Sequence, residues 1–80
     1  MEKHYHIMNG IHGCMPDTNN VATTLVDARG MLQETVRHLR DGGLTFNGNL
    51  KAGYFDSIKE NYYAEIADCT MVECLQAIDE

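Results

Sequence analysis

Apolar positions along this chain follow two different periods. Leu25, Ala28, Met31, Leu32, Val36 and Leu39 recur at helical spacing and fall in one arc about 140° wide. Thr24 with Asp27 resembles a capping box, with Asp in place of the usual Glu or Gln. The pattern predicts a helix from about Leu25 to Arg40 that stops at Gly42-Gly43. Asp27, Glu34 and Asp41 line one flank of the apolar arc, and Arg29, Arg37 and Arg40 line the other. Arg37, His38 and Arg40 also sit where cations complement the helix dipole. These charges read as a solvated face; the arginine strip is alternatively placed to brace the acidic C-terminal region.

Outside that stretch the signals are those of strands. Asn9-Gly10 and Asn47-Gly48 each lie between apolar-containing runs, and Asn-Gly suits the positive φ of a type I′ hairpin turn. "KHYHIM-NG-IHGCM" therefore reads as one hairpin and "GLTF-NG-NLKAGYF" as another. "PDTNN" (16–20) is turn material that ends the first hairpin, and "VATT" is a short extended approach to the helix. "YYAEIADC" (62–69) reads as a strand with Tyr62, Ala64 and Ile66 on one face, entered through an "IKEN" turn. Leu50, Tyr54, Phe55 and Ile58 also fit helical spacing, but Gly53 and the upstream Asn-Gly favour strand. Thr70 and Glu73 form a T-x-x-E capping box, predicting a short C-terminal helix with Met71, Cys74, Leu75 and Ile78 on its docking side. The expected architecture is α+β: a small antiparallel sheet (hairpin, long helix, then a two- or three-stranded meander) packed on one helix, with a short C-terminal helix.

Eighty residues make one small domain, 1–80, with a thin core. A chain of that size buries only roughly 60–70% of its unfolded surface, so a disulfide, metal or partner would help to staple it. A large enclosed substrate cavity is not expected. No apolar run approaches the length of a membrane span, and "MEKHYHIMNG" lacks a signal-peptide core, which reads as a cytoplasmic start. Cys14, Cys69 and Cys74 make an odd count, which argues against a secreted disulfide framework. Small buried thiols are the plain reading, and a regulatory or inter-chain disulfide the other.

The histidines raise the question of a metal. His4, His6, His12 and Cys14 crowd one short stretch, and zinc is held by such ligands in paired spacings. A tight turn at Asn9-Gly10 separates them. Tyr5 would then face Cys14 and Ile7 would face His12, putting His4 and His6 on the opposite side of the sheet from His12 and Cys14. A turn one residue longer would reunite them, with Cys69 or Cys74 as further ligands. Otherwise His4 and His6 sit on an open sheet face, with Tyr5 and Ile7 under the helix. The expected state has no cofactor.

Charge placement narrows function further. Acids and bases cancel over residues 1–55, so the net charge of −6 lies in the last 25 residues, where Lys59 is the sole base. That field disfavours direct nucleic-acid binding and favours a basic protein surface, although acidity also simply aids solubility. Tyr54, Phe55, Tyr62 and Tyr63 lie among acids, so they read as core or partner-contact aromatics and not as base-stacking platforms. No phosphate loop, dinucleotide fingerprint, HExxH or nucleophile elbow is present, and the chain is expected not to be an enzyme.

In size, acidity, cysteine content and helix-on-sheet layout, the chain resembles small proteins of phages and mobile elements, notably anti-CRISPR and anti-restriction inhibitors. The resemblance implies a surface that blocks a nucleic-acid-handling enzyme, and it assigns no residue. The expected function is a non-catalytic module binding the basic surface of a nucleic-acid-binding partner protein, without membrane or direct nucleic-acid contact. Its contact residues are expected among Asp56, Glu60, Tyr62, Tyr63, Glu65 and Asp68. Tyr63 and Glu65 share one strand face, Tyr62 and Asp68 the other, so only one set can touch the partner. The alternatives are a small zinc domain using His4, His6, His12 and Cys14, and a structural homodimer joined through the open sheet face or an edge strand.

Overall fold

The computed structural model describes residues 3–15 and 17–69, and for residues 17–20 it describes the backbone alone. In chain order the elements are β1 (His4–Ile11), β2 (Asp17–Ala22), α1 (Leu25–Asp41), β3 (Phe46–Asn49), β4 (Tyr54–Ser57) and β5 (Tyr62–Cys69). The strands form one five-stranded sheet in the order β2-β1-β5-β4-β3, antiparallel at every pairing. α1 carries the chain from one edge strand to the other.

The helix follows its local signals. Thr24 is extended, and its hydroxyl accepts the Asp27 N–H at 3.1 Å, satisfying one of the orphan donors of the first turn. At the other end Gly43 adopts φ +108°. Its N–H donates to the Arg40 carbonyl at 3.0 Å, and the Leu44 N–H reaches back to Leu39 at 3.1 Å. This is a Schellman closure, and the left-handed residue it needs is the glycine. Ala28, Leu32 and Val36 are buried, with Met31 and Leu39 packed beside them. Leu25, expected in the same apolar arc, is 39% exposed.

The helix stripe meets one face of the sheet. Ile7, Ala22, Phe46, Phe55 and Ala64 complete the buried cluster. The register places Phe55 opposite both Ala64 and Gly48, and Ile7 opposite Ile66, so all of these lie on one side of the pleat. Among the described residues the arginine strip does not brace the acidic C-terminal region. Arg37 pairs with Glu34 on its own helix at 2.6 Å, and Arg40 donates to the Phe46 carbonyl at 3.2 Å.

The expected architecture is overturned. Among the described residues a five-stranded sheet dominates, with one helix on it, in place of the expected small sheet packed on a long helix. The helix expected from Thr70 onward lies outside the described residues. Asn9-Gly10 makes no turn. β1 runs straight through it and pairs with β5 without a break from His4–Cys69 to Ile11–Tyr62. The chain turns instead just past β1, where Gly13 takes φ +87° and the Cys14 N–H donates to the Ile11 carbonyl at 3.0 Å. Asp17–Asn20, expected as turn, belong to β2, and a register shift between Ile7 and Asn9 bends the pair.

The second hairpin exists, but its turn also moves. Asn47-Gly48 lie inside β3, and the chain reverses over residues 50–53, where Gly53 has φ +68°. Asn49 Oδ1 accepts the Ala52 N–H at 2.8 Å and holds the turn. Tyr54–Ser57 is strand, which excludes the helical reading of that segment. Gly48 is needed in the strand for a different reason: a Cβ there would overlap the Tyr54 carbonyl oxygen and come within 2.9 Å of Phe55 Cα.

Two glycines should therefore respond oppositely to alanine. Gly48→Ala should lower stability by about 2 kcal/mol or more, because backbone must move. Gly30, on the exposed side of α1, has nothing within 4 Å of an added Cβ. Gly30→Ala should raise stability by about 0.5–1 kcal/mol. Urea midpoints of the two variants check this, and a neutral Gly48→Ala would contradict the β3–β4 pairing.

Candidate functional site

The sheet has a second face, turned away from α1. Pleat alternation assigns it His4, His6, Met8 and Gly10 of β1, Tyr63, Glu65, Ala67 and Cys69 of β5, and Tyr54 and Asp56 of β4. The register is Met8–Glu65–Tyr54 in one row and Gly10–Tyr63–Asp56 in the next, and directly paired residues share a face. Among the strand residues of β1, β3, β4 and β5 on this side there are two carboxylates and no lysine or arginine.

Aromatic rings form a stripe across it. Tyr54 and Tyr63 stack with centroids 6.4 Å apart and planes at 26°, and His12 continues the stack on Tyr63 at 4.9 Å and 28°. His12 lies just past the end of β1, where its N–H donates to the Asn61 carbonyl at 3.0 Å. Its Nε2–H donates to Asp56 Oδ1 at 2.7 Å. Gly10, paired with Tyr63 in the register, presents no side chain beside that ring. Tyr54 is 37% exposed. Loss of hydration, then the Asp56 and Glu65 carboxylates, raise its hydroxyl above the usual phenol range. Tyr54 therefore remains a neutral donor at physiological pH.

The six expected contact residues separate. Asp56, Tyr63 and Glu65 come together on this face. Tyr62 points to the helix side, where it meets Phe46 edge-on at 6.4 Å and its hydroxyl donates to Asn9 Oδ1 at 3.1 Å. Asp68 shares that side and pairs with Lys3 at 3.2 Å. Glu60 lies in the turn before β5, and its carboxylate accepts from the Thr45 N–H at 3.4 Å. Tyr54 and His12 belong to the stripe but not to the expected contacts. Strand alternation along β4 is the signal that points to Tyr54, whereas the place of His12 depends on where the chain turns.

The expected metal set does not assemble either. His4 and His12 are separated by the full length of β1, roughly 25 Å at strand rise, and Cys14 is exposed in the following turn. His4 and His6 instead converge with Cys69, their ligand atoms lying within 4.8 Å of one another. Both imidazoles are buried, at 3% and 7% exposure. Burial, and then the neighbouring His4 ring, lower the pKa of His6 below the ordinary imidazole value, which favours its neutral form at pH 7.

No protein-family model, curated protein or solved structure matches this chain. Among the described residues no helix is long and apolar enough to cross a membrane.

The two faces should separate by stability. Tyr62→Ala removes a ring packed on the core and a cross-strand hydrogen bond, and should cost about 3 kcal/mol. Glu65→Ala on the outer face should stay within about 0.5 kcal/mol of the parent. Equal losses in chemical denaturation would contradict the assignment of faces.

Proposed function

We propose that this protein is a non-catalytic binding module whose contact surface is the sheet face turned away from α1. The observation that carries the reading is the stacked Tyr54–Tyr63–His12 stripe flanked by Asp56 and Glu65 on paired strands. Tyrosines held by stacking lose little side-chain entropy on binding, and they suit the centre of an interface. The carboxylates beside them complement a basic surface and steer its approach. The partner is a basic, nucleic-acid-handling protein, and a CRISPR effector or restriction enzyme fits that chemistry. Blocking such a partner requires occupancy of its basic groove and no chemistry of the module's own. Cys14 and Cys69 as free thiols suit a cytoplasmic setting.

The test compares the parent with Tyr63→Ala and with Asp56→Lys/Glu65→Lys. Immobilised parent protein should retain a basic nucleic-acid-binding protein from host lysate. Each variant should retain at least about tenfold less, and added salt should weaken capture by the parent more than by the charge-reversed variant. Glu60→Lys, in the turn, should have a smaller effect. Capture that is indifferent to these substitutions, or the absence of a basic partner, overturns the reading.

A further inference from the structure

We propose that His4, His6 and Cys69 form a binding site for a zinc-class transition-metal ion, at the end of the outer face opposite the aromatic stripe. Three features of the geometry carry this. First, His4 and His6 are two apart on one strand, so both side chains leave the same face, and His4 is paired directly with Cys69 of β5. Second, the Nε2 atoms of His4 and His6 are 3.1 Å apart, with the rings 78° from coplanar. Two nitrogens bound to one tetrahedral zinc at about 2.0–2.1 Å lie about 3.3 Å from each other, so the pair already stands close to chelating separation. Third, all three ligand atoms fall within 4.8 Å of one another. A Zn–S bond of about 2.3 Å requires only a modest inward rotation of the Cys69 side chain.

The donor set matches the ion. Two imidazoles and one thiolate are borderline-soft ligands, which select zinc-class ions over calcium or magnesium. Burial strengthens the case, because a neutral imidazole is the ligating form and little of either ring is lost to solvent competition. Binding releases the Cys69 proton to solvent as the thiolate–metal bond forms, and the Nε2–H that joins the two rings is given up as that imidazole takes its Nδ1–H tautomer. With three protein ligands, the fourth position is left for water or a further donor. The site lies across two neighbouring interior strands, so an ion there would cross-link β1 to β5, which is the staple that a thin core calls for. It is independent of the partner reading, since none of its ligands belongs to the aromatic stripe.

The test is a titration of metal-free protein with Co²⁺, followed by Zn²⁺. The expected result is one Co²⁺ per chain, with the visible bands of a tetrahedral site and a near-ultraviolet thiolate-to-cobalt band, both abolished by Zn²⁺. Cys69→Ser should remove the thiolate band, His6→Gln should weaken binding at least about tenfold, and Cys14→Ser should change nothing. Because substituting a buried histidine can itself unfold the chain, the parent alone is also melted with and without metal. Zinc at a hundred times its dissociation constant should raise Tm by about 10–20 °C, and chelator should reverse it. A melting temperature unmoved by zinc, or a thiolate band that survives Cys69→Ser or disappears in Cys14→Ser, overturns the proposal.

Discussion

The pairing of β1 with β5 is the constraint on which the rest of the structure depends. Eight consecutive residue pairs join two strands far apart in sequence, and both strands are interior to the sheet. This register decides which side chains face α1 and which face away, since slipping it by one residue would exchange the two sets. Ile7, Ala64 and Ile66 enter the core because of it, and Tyr63, Glu65, His4 and Cys69 are excluded from the core for the same reason. The fold therefore fixes two surfaces in one step: an apolar one closed by the helix, and a polar, aromatic one held on a backbone that is hydrogen-bonded on both sides.

Elements governed by local chemistry are legible in the sequence. Thr24, the apolar arc and the double glycine bound α1 because each acts within a turn or two of its neighbours. Tyr62–Cys69 is legible because Tyr62, Ala64 and Ile66 recur at strand spacing there without a competing turn. The first hairpin is not. Asn9-Gly10 has a real local preference for a turn, but cross-strand pairs contribute about 0.2–1 kcal/mol each, and an unbroken ladder of them along β1 outweighs it. The preference is displaced to the glycine that follows, Gly13, and β2 forms from residues that look like turn material. Asn47-Gly48 fails as a turn for a related reason, since Gly48 serves the close approach of β4.

The outer face is legible in part, and the limits are physical. Strand alternation alone separates Tyr63 and Glu65 from Tyr62 and Asp68, so it identifies half of the acidic–aromatic cluster and leaves open which half is exposed. His12 cannot be placed by alternation, because its position depends on a turn that long-range pairing relocates. The His4-x-His6 spacing is recognisable as a chelating pair. Cys69 is brought opposite His4 by register, a relation that spacing along the chain does not encode, whereas Cys14, nearer in sequence, lies in the turn past β1.

The central pairing also sets an order of events for the chain. The helix and the β3–β4 hairpin close over short stretches, whereas Asn9 and Tyr62, which meet across β1 and β5, are 53 residues apart. Bringing such distant segments together costs loop-closure entropy before any contact rewards it, and topologies of this kind fold slowly for their size. A ribosome delivers β1 well before β5, so the first strand waits with its backbone donors and acceptors paired only with water on the side that β5 will occupy.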